Sequence, residues 1–363
     1  MKKISSRQLI IFYCIYSFSI KFLMLPSLLA KTAGKDAWIS ALAGTLLELT
    51  ILFIALTVLT RNQDTDIYSH LRGENPRTKV VRSAMGKVVI FAMLAVFLLQ
   101  LFILVNQTFH LLNENLFDKV SVRYFSIPLL LLGMFFCFMP ARAIFRSGEV
   151  FFVFIIIGIA LSVFPAITRI NASEILPIFN NGVSPSVKAF YMNVIYFESA
   201  FFLLMFMGDI KIEKHFRKKL MITATILGLF FVFFVFMFYS LFGPLAPLKN
   251  TAVSNLTVYS SYITNNGRLD WVIVTMWLLL LFLRIGVTFY CAFACLRYIT
   301  HLKHRAGYLS ACLAIFVYLL STFIFATTQD LTRFMGAILW LIAALYVIVP
   351  VLLLILGGRK KNA

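Results

Sequence analysis

Long apolar stretches separated by short polar connections set the pattern of this chain. The stretches run for about 20 residues without period-2 alternation, which is long enough to cross ~30 Å of hydrocarbon as an α-helix and unlike a membrane β-strand. The pattern therefore predicts an all-α polytopic membrane protein with ten transmembrane helices. The predicted segments cover residues 9–30, 37–60, 87–110, 124–140, 149–168, 188–209, 220–242, 271–295, 307–326 and 334–356.

Composition agrees with this class. Of the 363 residues, 61% are hydrophobic and 13% are charged, and the mean hydropathy is +0.93. No Pro- or Gly-rich linker and no low-complexity tract divides the chain, so residues 1–363 are interpreted as a single transmembrane domain. The longest outer connection, over residues 243–270, is long enough to hold a short surface helix above the bundle.

The net charge is +19, and the distribution of its basic residues indicates how the chain is oriented in the membrane. About two thirds of the 33 Lys and Arg residues fall in the connections of one side, which the positive-inside rule assigns to the cytoplasm. Ten spans with both termini cytoplasmic satisfy this asymmetry. The basic residues form no aromatic-basic motif for RNA, so no nucleic-acid partner is expected and the bilayer is the expected environment. The first apolar segment is too long for a signal peptide and is expected to be retained.

Motifs for catalysis, cofactors and metals are lacking in the sequence. There is no Ser/His/Asp set, no H-E-x-x-H and no phosphate-binding loop, so the chain is not expected to be an enzyme or to carry a cofactor. All five cysteines fall within predicted spans, where they behave as small hydrophobes. Cys291 and Cys295 share a helix face, but the sequence supplies no further ligands for a metal ion.

Four ionisable residues lie near the middle of predicted spans: Lys21, Glu48, Glu198 and Arg284. Each charge costs at least about 2.5–3.5 kcal/mol in hydrocarbon, so the side chains are expected to face the protein interior and to find partners. They either form structural ion pairs or serve transport or binding, and four together favour function. Glu48 lies on a stripe of small residues, which predicts close helix packing and a structural role.

Two further features concern the polar interior. In the third span Gln100 and Gln107 share a face and are expected to form interhelical hydrogen bonds. In the first span, Pro26 lacks an N–H and clashes with the carbonyl of Phe22, which predicts an interrupted helix over residues 22–26 unless the proline causes a simple kink. Discontinuous helices form the midplane site of many secondary transporters, and spans one and six are related in a fold of two inverted halves of five. Span six carries no Gly or Pro to mark a break.

Several motifs resemble one known family. They are "KISSRQL", "LMLPSLLAKTAGKDAWIS", "FESAFFLLMFMGDI" and "NGRLDWVIVTMW". In this order they resemble the membrane B subunits of GerA-type spore germinant receptors, the spore germination permeases of the amino acid-polyamine-organocation (APC) transporter superfamily. The likeness covers essentially the whole chain.

The resemblance implies a 5+5 inverted-repeat bundle of the LeuT/APC type that senses a nutrient. The protein would lie in the inner spore membrane, or the bacterial cell membrane, beside an A-type subunit and a C-type lipoprotein subunit. Pro26 would correspond to the family's broken first helix and Glu198 to its sixth-span glutamate. Relatives often have glycine in the unwound part of the first helix, where this chain has Ser19, Ile20 and Lys21. Lys21 could therefore fill the site or favour an anionic ligand group.

These arguments predict a site for a small polar nutrient, most simply an amino acid. The predicted ligand-binding residues are Ser19, Ile20, Lys21, Phe22, Leu25, Asn193, Glu198, Ser199 and Arg284, with Pro26 and Glu48 in structural roles. The alternative is a secondary amino acid or cation transporter, in which Lys21 or Glu198 exchanges a proton. A shared fold does not separate sensing from transport.

Overall fold

The computed structural model describes residues 3–62, 65–72, 79–115, 122–180, 182–264, 269–301, 305–324 and 328–356. The end of the predicted ninth segment and the basic C-terminal tail lie outside these residues. Within the described residues the chain is almost entirely helical. The helices are α1 (Ser6–Ala33), α2 (Ala37–Arg61), α3 (Ile67–Arg72), α4 (Lys79–Asn115), α5 (Val122–Phe138), α6 (Ala141–Ile167), α7 (Ser184–Val194), α8 (Ser199–Met205), α9 (Phe216–Phe242), α10 (Ala252–Thr264), α11 (Leu269–Thr300), α12 (Ala306–Leu319) and α13 (Thr328–Leu356).

Each of the ten predicted segments coincides with one helix or a helix pair. By length and hydropathy, eight described segments can cross a membrane, the first of which, Ser6–Arg61, contains both α1 and α2. A further apolar helix, Tyr124–Phe138, is shorter than the others. The helical membrane class is therefore confirmed, and the count of ten crossings stays a prediction.

The centre and the periphery of the bundle differ in burial. Helices α4 and α11 and the α7–α8 pair are mostly enclosed by other helices, whereas α6, α12 and α13 expose much of their surface. The exposed side chains on these outer helices are large and apolar, as a lipid-facing surface requires. Examples are Val153, Phe154, Ile156, Ile315, Phe316 and Trp340.

A two-residue parallel strand pair joins the start of α1 to the chain after α8. Strand β1 (Ile4–Ser5) pairs with β2 (Ile210–Lys211), with Ile4 opposite Ile210. A capping box formed by Ser5 and Gln8 then begins α1. The pair brings together two chain segments whose basic residues the charge pattern assigns to the same, cytoplasmic side.

On the opposite side, α10 packs across α1, α6 and α11. It is the short surface helix expected within residues 243–270. The bundle is therefore covered on this side by a helix that lies between α9 and α11 in the chain.

The first helix is not interrupted, so the predicted break at Pro26 is wrong. Helix α1 is continuous from Ser6 to Ala33 with Pro26 inside it. A proline removes one backbone hydrogen bond, and a membrane helix tolerates that loss while the rest of its ladder remains intact. The break occurs instead in the sixth segment, between α7 and α8, where residues 195–198 leave the helix.

The predicted close packing of α2 is present in the structure. Helix α2 packs against α7 and α9, and Gly44 lies against Asn193 of α7. A β-carbon on Gly44 would lie 2.8 Å from the β-carbon of Asn193, which is closer than two carbon atoms can approach without movement. The absence of a side chain at Gly44 thus sets the distance between α2 and the sixth segment.

We expect Gly44→Ala to destabilise the protein. The overpacking costs about 1–3 kcal/mol, which outweighs the roughly 1 kcal/mol that alanine gains over glycine in a helix. Gly336→Ala in α13 is the matched control, because nothing lies within 4 Å of a β-carbon there. Thermal unfolding of both purified variants checks this, and equal melting temperatures would contradict the packing argument.

Candidate functional site

The break in the sixth segment is held by side chains of other helices. The carbonyl of Ile195 accepts hydrogen bonds from Gln100 Nε2 at 2.7 Å and from the Tyr346 hydroxyl at 3.4 Å. About two turns further along α4, Gln107 Nε2 donates to the Tyr196 hydroxyl at 3.4 Å. Both glutamines thus form the interhelical hydrogen bonds that their shared face predicts. Gln100 satisfies a backbone carbonyl that the broken helix leaves free, whereas Gln107 holds a side chain of the break.

Glu198 and Arg284 form a buried ion pair beside this break. Glu198 precedes the first residue of α8, Arg284 lies within α11, and their exposed fractions are 1% and 2%. The Arg284 guanidinium also donates to the carbonyl of Tyr16 at 2.8 Å and to the Ser19 hydroxyl at 2.7 Å. It lies over the Tyr16 ring, 4.6 Å from its centroid. One cation thereby connects α1, α8 and α11.

Lys21 and Glu48 form the second buried ion pair. The Lys21 ammonium donates to one carboxylate oxygen of Glu48, and the Ser199 hydroxyl donates to the other at 3.2 Å. The ammonium also lies 4.7 Å from the centroid of the Phe231 ring. Because Ser199 follows Glu198 directly, the two pairs meet at the start of α8. The four charges form two neutral pairs that hold α1, α2, α8 and α11 together.

A small cavity lies beside the second pair. It measures about 20 Å³ and is lined by residues of α1, α2 and α9, including Lys21, Thr45 and Glu48. This is room for one water rather than for an amino acid. The Thr45 hydroxyl is buried and has no hydrogen-bond partner among the described residues, so a water in the cavity would satisfy it.

The remaining predicted ligand residues do not all face the break. Asn193 donates to the carbonyl of Ser40 at 3.1 Å and packs against α2. Phe22 packs in an aromatic cluster with residues of α9, and Ile20 and Leu25 are fully buried in the core. The structure therefore brings together Ser19, Lys21, Glu198, Ser199 and Arg284, with Glu48 as a partner.

Two tyrosines at the site, Tyr16 and Tyr346, are not among the residues predicted from the sequence. Tyr16 gives Arg284 both a carbonyl and a ring face, and Tyr346 supports the break from α13. The signal for Tyr16 was its position one turn before Ser19, on a face of the first helix that also carries polar groups. Tyr346 is a lone hydroxyl in an apolar segment, which has no partner that sequence alone could assign.

A large cavity opens on the side predicted to be cytoplasmic. It measures about 1440 Å³ and is lined by the N-terminus, α3, the start of α6 and the end of α11. Stacked rings separate it from the ion pairs: Tyr16 stacks on Phe202 at 4.4 Å, Phe202 packs on Phe206 at 5.3 Å, and Phe206 stacks on Tyr290 at 5.9 Å. Tyr290 lines the cavity. The rings thus close the inner end of the site.

A family model described as spore germination protein matches residues 3–332. The chain belongs to this spore germination protein family. The family, and with it the predicted spore germination function of a transporter-like membrane protein, is therefore confirmed. No curated protein sequence matches the chain significantly.

Among solved structures, this spore germination protein is similar to MhsT, described in complex with L-phenylalanine. The two share 10% sequence identity and a TM-score of 0.66 over 97% of this chain and 89% of the MhsT chain. At this identity the likeness shows the fold alone. It confirms the predicted LeuT/APC-like bundle.

We expect Lys21→Met to destabilise the protein by about 3–5 kcal/mol, because Glu48 is then a buried carboxylate without its cation. The double variant Lys21→Met/Glu48→Gln removes both charges and should recover most of this loss. Lys31→Met, an exposed lysine at the end of α1, is the matched control. Thermal unfolding of the purified proteins tests this, and a double variant less stable than the single one would refute it.

Proposed function

We propose that this protein is the nutrient-sensing B-type membrane subunit of a spore germinant receptor. It binds a small polar nutrient, most simply an amino acid, where α1, α8 and α11 meet, and it acts by binding rather than by catalysis. The proposal places it in the inner spore membrane beside an A-type and a C-type subunit, as its resemblance to GerA-type receptors implies.

The arrangement around Arg284 and Glu198 carries the proposal. A broken helix, a carboxylate, a guanidinium, a hydroxyl and a helix carbonyl converge within hydrogen-bonding distance in a buried place. These groups complement both ends of an amino acid, since a guanidinium pairs with a carboxylate and a carboxylate pairs with an ammonium. MhsT, which shares the fold, is described with an amino acid bound.

Closure of the site favours sensing as the first candidate. The ion pairs link four helices, and the ring stack from Tyr16 to Tyr290 separates them from the large cavity. A nutrient that competes for Arg284 or Glu198 would loosen these links. Binding would thereby shift the bundle between two arrangements, which is what a sensor needs.

The large cavity favours a second candidate, a secondary amino acid or cation transporter. A cavity of about 1440 Å³ open to one side resembles one half of an alternating-access cycle, with the ring stack as its gate. In that case a proton exchanges at Lys21 or Glu198 during transport.

We expect Glu198→Gln to shift the nutrient dose-response of germination to about 10- to 100-fold higher concentration. Loss of a buried charged hydrogen bond costs about 1.5–3 kcal/mol, and 1.4 kcal/mol corresponds to a factor of ten. The measurement uses spores that carry the variant as their sole copy of this subunit, with the protein level checked by immunoblot. The matched control is Glu213→Gln, whose side chain is exposed. An unchanged dose-response at normal protein level would rule the site out.

Uptake of labelled amino acids into proteoliposomes separates the two candidates. A sensor should bind the nutrient, seen as a rise in melting temperature, without accumulating it. Concentrative uptake driven by a proton gradient would establish the transporter instead.

A further inference from the structure

The hydrogen-bond and ion-pair partners of the Arg284 guanidinium are all oxygen atoms, and they come from α1 and from the break of the sixth segment. They are the main-chain carbonyl of Tyr16, the hydroxyl of Ser19 and the carboxylate of Glu198. Two lie in α1, and the third lies at the break of the sixth segment. All of these residues are buried.

Such a set of oxygens suits a hard monovalent cation as well as a guanidinium. Hard cations bind carboxylate, carbonyl and hydroxyl oxygens. Glu198 lies at the break of the sixth segment, and groups at the breaks of discontinuous membrane helices commonly coordinate Na⁺. The Tyr16 carbonyl belongs to the continuous helix α1, and its hydrogen bond from Arg284 shows that the oxygen is accessible to a cation. Here the positive charge comes from the chain itself.

We infer that Arg284 acts as a built-in cation that fills a latent monovalent-cation site formed by Tyr16, Ser19 and Glu198. The wild-type protein therefore needs no added Na⁺ or K⁺ to hold α1, α8 and α11 together. Nutrient binding should be equally independent of these cations, an expectation that rests on the proposed function.

The charge balance explains why a vacated site would recruit a cation. Without Arg284, the Glu198 carboxylate would be buried and unpaired, which is among the most costly arrangements in a protein interior. Truncation to alanine also removes the long side chain and leaves room at the oxygens. The carboxylate must then bind a cation from solution or take up a proton.

The experiment compares melting temperatures of the full chain in nanodiscs at equal ionic strength in NaCl, KCl and choline chloride. The wild type should melt at the same temperature in all three. Arg284→Ala should be less stable in choline and should be stabilised by several degrees, saturably, in NaCl or KCl, because a bound cation favours the folded state. Adding Glu198→Gln to the variant should abolish this cation dependence.

Arg297→Ala is the matched control. It removes an exposed arginine from the same helix, α11, at the large cavity rather than at the ion pair. Its melting temperature should not distinguish sodium or potassium from choline. Guanidinium ion at millimolar concentration provides a second probe, since it should also stabilise Arg284→Ala and not Arg297→Ala.

Three results would overturn the inference. One is an Arg284→Ala protein that melts at the same temperature in all salts, or that responds only to pH because a proton neutralises Glu198. Another is a wild-type protein that itself requires Na⁺ or K⁺. The third is a variant that cannot be recovered folded in sodium, potassium or guanidinium salts alike.

The melting assay needs no nutrient, so its outcome is independent of the germination assay. If the wild type fails to bind any amino acid but Arg284→Ala gains cation dependence, the proposed function falls and the cation site stands. If the wild type binds a nutrient with an affinity that differs between Na⁺ and choline, the proposed function stands and the cation inference falls.

Discussion

The structure depends on the requirement that no charge stays unpaired in the hydrocarbon core. Lys21 pairs with Glu48, and Arg284 pairs with Glu198, so that the two cations and two anions of this buried cluster leave no net charge. Each pairing fixes the rotation of two helices about their axes. Because breaking either pair strands a buried ion, the four helices are expected to move as a unit or to exchange partners together.

The same requirement applies to backbone groups and explains where the chain can leave the helix. At residues 195–198 the freed carbonyl of Ile195 has Gln100 and Tyr346 as donors, so the break is supported from α4 and α13. A break in α1 would need similar donors. The neighbouring arginine instead binds the Tyr16 carbonyl while the helix continues.

Much of the fold could be predicted because it follows from lengths and hydropathy. A helix that crosses the membrane needs about 20 apolar residues whatever its neighbours are, so the segments can be recognised from the sequence alone. The break was misplaced because Pro26 marks the loss of one hydrogen bond, which is a local property. Unwinding of "VIYFES" depends instead on glutamines almost a hundred residues earlier in the chain, and no local signal carries that information.

The candidate site was predicted in part for the same reason. The cost of intramembrane charge selects Lys21, Glu48, Glu198 and Arg284 without knowledge of the fold. Which cation meets which anion depends on helix rotation, so two pairings were equally compatible with the sequence. Asn193 was assigned to the site because it is polar, yet its side chain completes the packing of α2.

The paired charges also bear on what the proposed site can recognise. A free amino acid at neutral pH carries one positive and one negative group, so it is itself a neutral ion pair. It can exchange partners with Arg284 and Glu198 without bringing net charge into the membrane, whereas a purely cationic or anionic ligand would leave one ion in excess. At about 332/(ε·r) kcal/mol for charges r Å apart, an excess ion is penalised more strongly in this low-dielectric interior than at a wet surface. Net neutrality of the exchange is therefore the physical reason to expect a zwitterionic nutrient.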